Sequence, residues 1–106
     1  MIADTAQAAR VAIVAYAESN AHLAVPPTVE PVAVVGDYAL ADWTAARKEG
    51  EALLVMRGGK WRVVAFENSP LADAHYLTIR YKVPADEATA LVKSLLAAEK
   101  REHIRP

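Results

Sequence analysis

The spacing of apolar residues changes along the chain, and each change marks an element. From Thr5 to Ala21 the residues are good helix formers with no glycine or proline, which predicts a first helix over 5–21. Asp4 followed three residues later by Gln7 resembles a capping box at its start. Gln7, Arg10 and Glu18 share one narrow polar stripe, interrupted by Val14, while Val11, Ile13, Tyr16 and alanines fill the rest. A helix so apolar all round is expected to be largely covered. Pro26 and Pro27 stop any continuation.

Residues 29–67 read as strands. Val29 to Val35 is rich in valine, and Pro31 marks it as an edge strand or one that begins after that residue. Gly36-Asp37 is a two-residue turn signal. The run 38–44 then alternates Tyr38, Leu40 and Asp42 against Ala39, Ala41 and Trp43. Arg47 to Gly50 reads as a polar loop, 52–57 as a third strand, and Gly58-Gly59 as a hairpin turn. The fourth strand, 60–67, is expected to carry Trp61, Val63 and Ala65 on one face and Val64 and Phe66 on the other.

Ser69-Pro70 has the chemistry of a helix start, with Ser69 as N-cap and Pro70 in the first turn. His75, Leu77, Ile79, Tyr81 and Val83 alternate like a strand, but Leu71, Ala74, Leu77, Thr78 and Tyr81 share a helical face. The cap chemistry favours a helix over 70–82. Pro84 opens a last helix over 85–101, with Asp86 and Glu87 in its first turn, Lys100 and Arg101 in its last, and a seam of Leu91, Leu95 and Ala98. The fold class predicted is α+β in a single domain: an N-terminal helix packed on a four-stranded antiparallel meander, then two C-terminal helices. Leu53 and Val55 alternate with Leu54 and Met56, so both sheet faces are apolar. The first helix can cover one; the other needs the C-terminal helices or a second subunit, and a homodimer is expected on that ground.

Composition narrows the function classes. The chain has 106 residues, 54% of them hydrophobic, and no cysteine. Disulfides, thiolate metal sites and cysteine nucleophiles are therefore excluded. Alanine supplies 23 residues, so the core must come from the 12 valines, the leucines and a few aromatics. The net charge of −1 argues against a nucleic-acid or membrane-surface binder. The longest apolar run, Val11 to Ala17, is far short of the ~20 residues that span a bilayer. Arg10 before that run gives a faint signal-peptide pattern, but Asp4 is foreign to one. A cytoplasmic location is expected, with a trimmed signal peptide as the alternative.

The segment Thr28-Val29-Glu30-Pro31-Val32-Ala33-Val34-Val35-Gly36-Asp37-Tyr38-Ala39-Leu40-Ala41-Asp42-Trp43 resembles a small bacterial family described as copper uptake system-associated proteins. The likeness resumes at Glu51-Ala52-Leu53-Leu54 and Gly59-Lys60-Trp61-Arg62-Val63-Val64, then at Leu71, Asp73-Ala74, Val83-Pro84 and the Leu-Leu-Ala-Ala-Glu run at 95–99. Gly36 to Trp43 is its most specific part. The resemblance implies a cystatin-like or nuclear-transport-factor-2-like fold and an association with copper handling. One departure matters. The family carries a cysteine-containing turn after the fourth strand, where this chain reads Phe66-Glu67-Asn68-Ser69. A copper site built on that thiolate does not carry over.

Few residues suggest chemistry. His22, His75 and His103 share no metal-ligand spacing, and only Met1 and Met56 offer thioethers, so no metal or other cofactor is expected. Asp37 suits a turn. Asp42, on a strand face with Tyr38 and Leu40, is a carboxyl among apolar residues, a setting that raises a pKa. A small-molecule or catalytic pocket on the concave sheet face would draw on Tyr38, Asp42, Trp43, Trp61 and His75. Against this, both tryptophans suit core or interface positions. Arg57, Lys60 and Arg62 cluster at the second hairpin, with Arg47 and Lys48 expected nearby, where charges discourage edge pairing. No nucleophile elbow or phosphate-cradling loop is present. The leading expectation is a non-enzymatic accessory or binding protein; a ligand or catalytic pocket and a structural interaction module are the alternatives.

Overall fold

A computed structural model describes residues 5–104, with side chains through residue 101. Asp4 and Met1 lie outside the described residues, as does the side chain of His103. The elements are α1 (Thr5–Asn20), β1 (Thr28–Val35), β2 (Tyr38–Ala45), β3 (Lys48–Arg57), β4 (Lys60–Glu67), α2 (Ala74–Tyr81) and α3 (Ala85–Ile104). The strands form one antiparallel sheet in the order β1-β2-β3-β4, a meander with β1 and β4 at its edges. The class is α+β, as the sequence predicts.

The sheet separates two cores. On one face Leu40 and Leu53 meet Leu71, Leu77, Leu91 and Leu95, contributed by α2, α3 and the segment before α2. On the other, Ala39, Ala41, Trp43 and Leu54 meet Ala9 and Ile13 of α1. Both faces are thus covered within one chain, which removes the sequence-based reason for a second subunit. The first helix is not covered all round. Ala9, Ile13 and Ala17 are buried at i, i+4 spacing, whereas Val11 is 57% exposed. Alanines made the helix apolar without requiring burial of every face. Arg10 ties α1 to the sheet, its Nε donating to the Val29 carbonyl at 2.6 Å.

Two bulges reset the strand faces. Val29 pairs with Trp43 but Val32 with Ala41, so the edge strand β1 carries one extra residue around the cis Glu30–Pro31 bond. Leu53 pairs with Ala65 but Leu54 with Val63, which leaves Val64 as the extra residue of β4. Trp61, Val63 and Phe66 therefore pack toward α1, while Ala65 joins the α3-side core. Strict alternation placed Ala65 with Trp61 and Phe66 with Val64; a bulge inserts one residue and shifts the phase.

Two element boundaries also differ from expectation. The segment read as a polar loop is strand: β3 begins at Lys48, and the chain turns at Ala46–Arg47 with Ala46 at φ 56°. Lys48 and Glu49 are exposed strand residues, and polarity alone does not separate those from a loop. The second helix is capped by Asp73, not Ser69: the Asp73 Oδ1 accepts from the Tyr76 N–H at 2.9 Å. The stretch before it stays irregular because Leu71 turns into the core and its N–H is taken by Glu51. At the other end Lys82 is left-handed at φ 65°, and its N–H donates to the Leu77 and Thr78 carbonyls. Pro84 then precedes α3, with Asp86 and Glu87 in its first turn. Among the described residues, no helix is long and apolar enough to cross a membrane.

Candidate functional site

The site grows out of the rows that build the α3-side core. Along β2, Tyr38 and Leu40 are followed on the same face by Asp42. Along β3, Val55 and Leu53 are followed, toward its start, by Glu51. Along α3, Leu91 and Leu95 are followed one turn later by Glu99. Where three apolar rows run out, three acids stand. Asp42 and Glu51 are direct cross-strand partners. With Glu99, each offers a carboxylate oxygen within 4.8 Å of the other two.

These acids have few other partners. Glu51 is 8% exposed, and its Oε1 accepts the Leu71 N–H. The Asp42 Oδ1 is buried, and no N–H or hydroxyl donor reaches it. Its neighbours in the cluster are acceptors too, so a hydrogen bond among them requires a proton on one of the carboxyls. Asp42 carries it. Burial foremost, then the hydrogen bonds and charges of Glu99 and Glu51, push Asp42 up from 3.8 to about 9.

Beside the cluster opens a cleft of about 370 Å³ between β1, β2, β3, the segment after β4 and α3. Its ionisable lining residues are Glu30, Asp42, Glu49, Glu51 and Glu99; Asn68 and Ser69 add neutral polar groups. No lysine, arginine or histidine among the described residues lines it. The cluster supplies three side chains against the about six to eight oxygens of a calcium sphere, and one Glu51 oxygen is already engaged. Copper favours imidazole and soft sulfur ligands, and neither lines the cleft. A shared proton bridges one pair of the three acids and lowers the charge they carry.

Of the five residues singled out from the sequence, Asp42 and Trp43 border this cleft. The Trp43 ring lies on the other side of the sheet, stacked on Phe66 with centroids 4.5 Å apart and 12° between planes. Tyr38 packs against the α3-side core four residues back along β2, roughly 13 Å from Asp42 at the usual strand rise. Trp61 packs toward α1, outside the cleft, with its Nε1 buried and unpartnered. His75 is exposed on the first turn of α2. A pocket uniting Tyr38, Trp61 and His75 with Asp42 is therefore not formed: the strand length, the sheet and the helix start hold them apart. Arg57, Lys60 and Arg62 are exposed at the β3–β4 hairpin, and Arg47 and Lys48 sit at the opposite end of β3.

Sequence reading missed Glu51 and Glu99. A signal existed for Glu99, since 91, 95 and 99 continue one helical seam. For Glu51 the signal was hidden. Its pairing with Asp42 follows only once the turn is placed at Ala46–Arg47. No family model, no curated protein and no solved structure matches the chain. Fold and site together define an α+β protein with an acid-lined cleft at one end of its sheet.

Proposed function

We propose that this chain is a small binding protein whose cleft takes an organic cation, a small molecule bearing one or more ammonium groups. The observation that carries this reading is the lining: every ionisable group of a cleft of about 370 Å³ is a carboxylic acid. That volume is at the small end of ligand sites. Ammonium groups would be drawn by Coulomb attraction and hydrogen-bonded by Glu30, Glu49 and Glu99, with Asp42 and Glu51 behind them. The test is a titration of the full chain with 1,4-diaminobutane, followed by amide NMR, with 1,4-butanediol as the neutral control. The diamine is expected to shift resonances of residues 42–51 and 96–101, and the diol is not. Equal responses, or none, would overturn the reading.

A protonated Asp42 is also the group that a proton-donating step would use. The place of Asp42 on the cleft wall, where burial and two glutamates favour its protonated form, supports this as the second reading. Its mark would be turnover of a bound amine, lost in Asp42→Asn.

Membership of the copper uptake system-associated family, and the cystatin-like label with it, rest on the segments from Thr28 to Trp43 and beyond. Within this proposal copper handling is an accessory association and not chelation, because His22 and His75 are exposed and the cleft offers only oxygen donors. Calorimetry with cupric ion is expected to show no binding tighter than micromolar. A cytoplasmic location is part of this proposal. A homodimer would have to form through exposed apolar residues such as Val11, Ile79 and Leu96. Sedimentation at high concentration decides whether it does.

A further inference from the structure

We propose that Asp42, Glu51 and Glu99 form a proton-held latch that fastens the last turns of α3 to the sheet, and that losing the shared proton frees α3 there and opens the cleft. Two of the three acids stand on backbone that cannot move aside. Asp42 and Glu51 sit on paired strands inside the sheet, and Glu51 is buried and held by the Leu71 N–H. Glu99 is different. It stands on a helix whose buried anchors end one turn earlier, at Leu95. Among the described residues after Leu95, none on α3 is fully buried, and Lys100 and Arg101 are exposed. Among the residues of α3 whose side chains are described, Glu99 is thus the last polar tie to the sheet.

With the proton in place, Asp42 donates to a neighbouring carboxylate and the contact is attractive. Once it is lost, three acceptors stand within 4.8 Å with no donor between them. Among the described residues, the cleft lining does not compensate. β1 contributes Glu30, β3 adds Glu49, and the segment after β4 contributes only Asn68, Ser69 and Pro70. No basic side chain among the described residues lines the cleft to replace the missing proton. Like charges in a partly desolvated site repel strongly, and the element free to yield is the end of α3. The raised titration of Asp42 agrees with this arrangement, because its causes include the hydrogen bonds and charges of both glutamates. As a control on ligand entry, the latch rests on the reading of the cleft as a binding site. The release of α3 itself does not.

The experiment uses the full ¹³C,¹⁵N-labelled chain without ligand. Carbon-detected NMR from about pH 3 to about pH 10 reads the side-chain carboxyl shifts together with the Cα shifts of residues 96–101. The expected result is one shared midpoint: as Asp42 titrates, the Cα shifts of 96–101 lose helical character while those of α1 hold. Asp42→Asn should abolish that transition, and Glu99→Gln should lower the Asp42 midpoint. Constant helical shifts at 96–101 while Asp42 titrates would overturn the latch, as would an ordinary acidic midpoint for Asp42. If the latch is seen but the diamine fails to bind, the ligand reading falls alone. If the diamine binds and α3 stays helical throughout, the latch falls alone.

Discussion

Asp42 and Glu51 face each other directly across β2 and β3, two acids on the same side of an antiparallel pair. Like charges so placed ordinarily destabilise a sheet. Here the pair is tolerated because one of the two is neutral: burial first, and the neighbouring glutamates second, hold the proton on Asp42 up to about pH 9.

Stability should depend on pH accordingly. Asp42 is raised from 3.8 to about 9 on folding, so within that window the folded chain holds more protons than the unfolded one. The stability contributed by Asp42 is present in full at low pH and is lost as pH rises through the window, levelling off above about 9. Asp42→Asn removes this slope. In urea titrations at about pH 5, 7 and 9 the variant is expected to gain on the parent as pH rises. A gap constant with pH would count against a proton on Asp42.

Glu51 separates two roles. Glu51→Gln keeps an acceptor for the Leu71 N–H and is expected to leave stability within about 0.5 kcal/mol of the parent, or above it. Glu51→Leu leaves that N–H without a partner and should cost about 1–3 kcal/mol. Denaturation midpoints of the two variants check the order.

The cap of α2 gives a second contrast. Asp73→Ala removes the bond to the Tyr76 N–H and should cost about 1 kcal/mol. Ser69→Ala is expected to stay within about 0.5 kcal/mol of the parent, since Ser69 is exposed and caps no helix. Equal losses in thermal unfolding would restore Ser69 as a cap.

Two small residues bracket the start of β3 with opposite expectations. Ala46 sits in the left-handed region at φ 56°, where a Cβ is unfavourable, so Ala46→Gly should stabilise by up to about 1 kcal/mol. Gly50 has no room for a side chain: a Cβ there would fall on the backbone carbonyl of Glu67. Gly50→Ala should therefore destabilise by about 1–3 kcal/mol. Chemical denaturation of both, against the parent, measures the signs.

The fold was legible where chemistry is local. Valine-rich runs, the Gly58-Gly59 turn and the prolines at 26, 27 and 84 announce their elements without help from the rest of the chain. Both glycines of that turn adopt positive φ, at 58° and 77°, as a tight hairpin demands. What failed was non-local. Asp73 outcompeted Ser69 because the Leu71 N–H found Glu51, twenty residues away. Of the site, only Asp42 stood out, as an acid on an apolar strand face. Glu51 had been placed in no predicted element, and Glu99 was read as part of a helix end. Their meeting depends on strand register and on where α3 crosses the sheet, and neither leaves a short-range trace.

The bulge at Val64 has a bearing on which changes this chain tolerates. Val64 is 44% exposed, so substituting it removes little buried surface. Deleting it would close the bulge: Val63, Ala65 and Phe66 already alternate between the two faces, so each would keep its side and its partner, and Phe66 its stack on Trp43. Neither core needs the extra residue, so this is the position of β4 at which natural versions of this chain are expected to differ in length by one.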